Sequence, residues 1–85
     1  MTPDGRRARR LGTPKPTSVI PGEGGSPRSV AGREVDSVRE EWVVEDRWWT
    51  GKPLRRRYFE LVLLDGRNVV VFRDLVDGGW FLQRS

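Results

Sequence analysis

Residues 54–75 read LRRRYFELVLLDGRNVVVFRDL, and the fold turns on how this stretch pairs with itself. Two β-rich runs, Arg55 to Leu64 and Asn68 to Asp74, flank Asp65-Gly66. Asp-Gly between apolar runs is a strong hairpin signal, because a type I′ turn needs positive φ at both central residues. A two-residue loop here pairs Leu64 with Arg67, Val62 with Val69 and Phe59 with Phe72.

Toward the C-terminus, Val76-Asp77-Gly78-Gly79 reads as a four-residue loop. It sets Leu75 opposite Trp80 and Asp74 opposite Phe81, with Trp80 to Gln83 as a short closing strand. Toward the N-terminus, Glu41 to Trp49 alternates around Trp42, Val44 and Trp48, and Thr50-Gly51-Lys52-Pro53 makes the connection. Val44 then faces Phe59, and Asp46 faces Arg57. The expected product is a mainly β domain over residues 38–85, a small four-stranded antiparallel meander. Its core face gathers Trp42, Val44, Trp48, Phe59, Leu61, Leu63, Val70, Phe72 and Phe81. Arg57 is expected between Asp46 and Asp74 as an ion cluster. Tyr58, Val62, Val69 and Val71 lie on the opposite face, which is partly apolar and open to a partner or to a homodimer. Residues 34–40 carry only a weak signal, for a short helical lead-in.

Residues 1–37 have a different composition. Five of the six prolines fall there, with Gly22, Gly24 and Gly25, and large apolar residues are sparse. Such a segment buries too little surface to offset its ordering entropy, so the expectation is a disordered, basic, Pro/Gly-rich tail. The GC-rich coding style leaves open that translation begins further in. Before Glu34 there are seven basic residues and two acidic ones; from Glu34 onward there are nine and ten. The formal net charge of +4 therefore belongs to the tail.

Composition narrows the chemistry. The chain has no cysteine and no histidine, so it lacks thiolate sites and the commonest metal ligand and general base. A hydrolytic or metal site would have to use carboxylates such as Glu40, Glu41, Glu45, Asp46, Asp74 and Asp77, and no spacing among them matches a calcium loop. No phosphate-cradling glycine loop is present. The expectation is a non-enzyme with no cofactor and no metal. No apolar run reaches the ~20 residues of a membrane-spanning helix, and a cytoplasmic location is the default. The suggestive constellation is Arg55-Arg56-Arg57 with Trp48 and Trp49, since arginines bind phosphates and exposed rings stack on unpaired bases. Alternation sends Arg56 to the face opposite Arg55 and Arg57. The candidate contact residues, for a protein partner or for nucleic acid, are Trp49, Arg55, Arg56 and Tyr58. In the tail, Arg6, Arg7, Arg9 and Arg10 are candidates for non-specific DNA contact through counterion release.

Trp42 to Leu63 (WVVEDRWWTGKPLRRRYFELVL), Asp65 to Arg67 (DGR) and Val70 to Arg84 (VVFRDLVDGGWFLQR) resemble a small bacterial domain of unknown function. That domain is associated with high-GC genomes, either free-standing or at the C-terminus of ImuB-type proteins, Y-family polymerase homologues of the inducible mutagenesis machinery. The likeness spans Val38 to Arg84, just over half of the chain. Paired Trp48-Trp49, the Arg57-Tyr58-Phe59 step and the Phe72-Arg73-Asp74-Leu75 to Trp80 hairpin are its specific parts. The resemblance implies an accessory role in translesion synthesis or DNA damage tolerance, with a protein partner in a repair or polymerase assembly. It implies no polymerase activity and transfers no binding residue.

Overall fold

The computed structural model describes residues 13–46 and 54–83. They form seven antiparallel strands and one 3-10 turn. The strands are β1 (Lys15–Pro16), β2 (Val19–Pro21), β3 (Pro27–Val30), β4 (Arg33–Asp46), β5 (Leu54–Leu63), β6 (Asn68–Asp74) and β7 (Trp80–Gln83), with the turn Glu23–Gly25 between β2 and β3. The mainly β, antiparallel expectation holds, but the count of four strands does not. Three more strands come from residues 13–30, where disorder was expected. Residues 34–40 are the first half of β4 rather than a helical lead-in. The apolar residues of this region are few, but Val19, Val30 and Val35 all face inward. The segment makes no core of its own; it covers one that the later hairpins supply.

The strand order is β1-β7-β6-β5-β4-β3-β2. β1 and β2 lie at opposite ends of that order, yet only Thr17 and Ser18 separate them in the chain. The sheet therefore curls until its ends meet. The Thr17 N–H donates to the Trp80 carbonyl at 3.1 Å, and the Ala31 N–H donates to the Ser18 carbonyl at 2.8 Å. Residues 15–21 thus act as one extended run handed from β7 to β3. Inside the curl sit Val30, Phe59, Leu61 and Val71, with Val19, Val35, Val69, Trp80 and Leu82 packed against them.

Three pairings differ in register from the sequence expectation, and two of them turn a strand over. The β5–β6 loop has three residues, Leu64 to Gly66. The Gly66 N–H donates to the Leu63 carbonyl and the Leu63 N–H to the Arg67 carbonyl, each at 2.8 Å. Gly66 alone takes a left-handed conformation here, at φ 92°. The Asp65 carboxylate accepts the Arg67 backbone N–H at 3.0 Å and so fixes the wider loop. One added loop residue shifts the pairing by one, which sends every β6 side chain to the other face. Phe59 lies opposite Val71 and Tyr58 opposite Phe72, so Phe59 and Phe72 do not share a face. The β6–β7 loop has the expected four residues but starts one earlier, because Asp74 pairs with Gly79. Asp74 Oδ1 accepts the Val76 and Asp77 N–H groups, which holds the turn there. This moves the pairing by two and keeps the faces.

The β4–β5 pairing moves by three. Trp42 lies opposite Tyr58, and Val44 opposite Arg56, not Phe59. The expected core face is therefore corrected. Phe59, Leu61 and Leu63 belong to it; Trp42, Val44, Val70, Phe72 and Phe81 lie on the other side, and Val69 and Val71 replace the β6 pair. The ion cluster is corrected too. Arg57 binds Glu41 at 2.6 Å, and its register neighbours are Val43 and Arg73.

Candidate functional site

The three registers together align four aromatic residues. Trp42 on β4, Tyr58 on β5, Phe72 on β6 and Phe81 on β7 are successive directly opposed partners. They form one row across the outer face of the sheet, and Pro16 on β1 extends it beyond Phe81. Cross-strand neighbours stand close enough for their rings to meet. Trp42 and Tyr58 are parallel within 3°, with centroids 5.2 Å apart. Tyr58 and Phe72 are tilted at 4.9 Å, and Phe72 and Phe81 are stacked at 5.2 Å. The row is most covered in the middle, where Phe72 is buried, and most open at β4, where Trp42 is 39% exposed.

Arg56 lies over this row. Its guanidinium carbon is 4.4 Å from the Phe72 ring centroid, and Nη1 donates to the Tyr58 hydroxyl at 3.3 Å. The guanidinium is part-buried, and its Nε is enclosed with no hydrogen-bond partner. Asp74 is its register neighbour on β6, but the Asp74 carboxylate is turned to its own loop amides. Among the described residues Arg56 makes no ion pair. Hydrogen bonds from a guanidinium to an oxyanion are charge-assisted and stronger than neutral ones.

The other arginines of the run are already neutralised. Arg55 binds Glu45 at 2.7 Å, and Arg57 binds Glu41 while lying 4.9 Å from the Phe59 centroid. Both are on the face opposite Arg56. Arg57 also closes the mouth of the curl, where a Cβ on Gly25 would come within 2.9 Å of its Nη1.

Of the residues singled out from the sequence, Arg56 and Tyr58 are brought together, while Arg55 faces away from them. Trp49 and its neighbour Trp48 lie outside the described residues, as do Arg6, Arg7, Arg9 and Arg10. Trp42, Phe72 and Phe81 were expected on the core face, Phe72 and Phe81 from the two-residue turn and Trp42 from the loop reading at 50–53; they lie on the other face, where Phe72 is nonetheless buried. The available signal for Phe72 and Phe81 was Leu64, whose inclusion in the loop puts both on the outer face.

A groove of about 660 Å³ runs along the start of β4, between Ile20, Pro27 and Arg28 on one side and Asp36, Ser37 and Val38 on the other. It opens where β3 stops pairing with β4, past Glu34. Among the described residues no group of three or more acidic, histidine or cysteine side chains is placed to hold a metal ion, and no helix is long and apolar enough to cross a membrane. Comparison with protein-family models, with curated proteins and with solved structures finds no match.

Proposed function

We propose that this chain is a non-catalytic interaction module accessory to bacterial DNA repair and error-prone translesion synthesis, and that it meets a protein partner with the outer face of its sheet. The observation that carries the binding role is the in-register row Trp42–Tyr58–Phe72–Phe81 with Arg56 above it. Phe59, Leu61 and Val71 fill the inside of the curl, and Trp42, at the β4 end of the row, stays 39% exposed. Aromatic residues and arginine are the side chains that most often dominate interface energetics. The repair context rests on the resemblance of Val38 to Arg84 to the domain found on ImuB-type proteins.

The test is affinity capture with the full chain from cells under DNA damage, beside Arg56→Met and Trp42→Ala. The reading expects a replication or repair protein that the wild type retains and both variants release. Recovery of no such protein, or equal recovery by all three, contradicts it.

One observation favours a second reading, direct nucleic-acid binding. Arg56 offers a guanidinium with no ion pair among the described residues, beside rings suited to base stacking. The tail arginines would add salt-sensitive affinity. Titrating a labelled single-stranded 20-mer and its duplex into the full chain separates the readings: Arg56-dependent binding of the single strand supports the second, and no binding of either rejects it.

A further inference from the structure

We propose that the open edge of β4, over Glu40–Asp46, is a docking site for a basic, extended peptide segment of a partner, added as a further strand. This rests on the reading of the chain as an interaction module, and it assigns the edge and the chemistry of what binds there. Among the described residues β4 pairs with β3 only through Arg33 and Glu34, and with β5 along the rest of its length. Alternate residues of an antiparallel strand direct both backbone groups to one side, so over Glu40–Asp46 the far side of β4 carries a file of N–H and C=O groups with no strand partner among the described residues. The register irregularities of β4 lie between Val35 and Glu40. From Glu40 to Asp46 the pairing is regular, and a regular edge accepts a strand.

Three features define the occupant. The edge presents exposed apolar side chains, with Val43 at 54% and Trp42 and Val44 also exposed. The aromatic row ends on it, so the next strand outward would bring a residue against the outer side of the Trp42 ring. Finally, the edge is acidic. Glu40, Glu41, Glu45 and Asp46 fall within seven residues that hold no basic one. Glu41 and Glu45 are balanced by Arg57 and Arg55. Glu40 is opposed across the strands by Glu60 on the outer face, and neither has an ion-pair partner among the described residues. Directly opposed like charges are unfavourable, and a cation from an added strand relieves the pair. The charge left on Glu40 and Glu60 disfavours pairing of this edge with a second copy of itself and favours an arginine- or lysine-bearing strand.

The experiment titrates the full chain with the fluorescent octapeptide Arg-Val-Arg-Val-Arg-Val-Arg-Val, its counterpart with glutamate for arginine, and the arginine peptide N-methylated throughout. Anisotropy reads affinity, and amide hydrogen exchange reads position. The arginine peptide is expected to bind and to slow, at least tenfold, those Glu40–Asp46 amides not bonded to β5. N-methylation, glutamate substitution and Glu40→Lys in the protein should each weaken binding at least tenfold. Glu40→Lys should not lower the melting temperature, since it ends the Glu40–Glu60 opposition. Equal binding of the N-methylated peptide, slowing at another edge, Glu40–Asp46 amides all protected before peptide is added, or no binding overturns the proposal. If peptide binding fails while the captured repair protein persists, the edge assignment alone falls; if capture also fails, the outer-face reading falls with it.

Discussion

Arg56→Met separates a binding residue from a structural one. The substitution keeps a long unbranched stem over Phe72 and removes the guanidinium. What is lost is a cation–π contact at 4.4 Å, about 1–2 kcal/mol when partly desolvated. A long hydrogen bond to Tyr58, at 3.3 Å, adds roughly 0.5–1 kcal/mol. What is recovered is the penalty on the enclosed, unsatisfied Nε, about 1–3 kcal/mol. The terms oppose and are of similar size, so the net change in stability should be within about 1 kcal/mol of zero. Urea unfolding followed by tryptophan fluorescence measures it, with the slope held common to both proteins. Partner or oxyanion binding should meanwhile fall at least tenfold. A loss of stability above about 2 kcal/mol would refute the reasoning, because Arg56 would then be holding the sheet together.

The Ala31-Gly32 turn joins β3 to β4 with φ of 51° and 81°, so Ala31→Asn should stabilise by about 0.5–1 kcal/mol in the same assay, since asparagine tolerates this conformation. Gly66→Ala should destabilise by about 1–2 kcal/mol although space there is open, because the penalty is conformational; a melting temperature unchanged within error would contradict it. Phe59→Ala should cost about 3–5 kcal/mol as a fully buried core truncation, read by thermal melting. The Asp65 carboxyl is held below its ordinary value of 3.8, mainly by the Arg67 backbone N–H and then by the Arg67 and Arg33 charges. A lowered folded-state value means that its contribution is complete above about pH 4 and is lost as pH falls through that lower value. Asp65→Asn should therefore flatten the acid limb of the stability–pH curve and leave its shape near neutrality unchanged.

Element type was legible over residues 41–46 and 54–83, since alternation, β-branched runs and the glycine-bearing loops all agree there, while the expected end of the strand at Trp49 and the loop at 50–53 lie outside the described residues. Parity was not. Leu64 sits at the join of an apolar run and an Asp-Gly pair, and whether it belongs to strand or loop decides which face all of β6 occupies. Asp65 settles this through a side-chain bond to Arg67, which composition does not reveal. The turn with positive φ at both central residues is at Ala31-Gly32 instead, where alanine conceals it. Residues 13–30 were missed because sparse apolar residues suffice to cover a core built elsewhere. Of the candidate site, Arg56 and Tyr58 were legible from alternation alone; the ring partners depended on the register.

The two-faced sheet is tested most directly by side-chain nuclear Overhauser effects in the full chain. Contacts from the Tyr58 ring to both Trp42 and Phe72, and from Phe72 to Phe81, are the pattern expected, with Phe59 reporting instead to Val71 and Trp80. Direct Phe59–Phe72 ring contacts would put those residues on one face, dissolve the outer row and contradict the account.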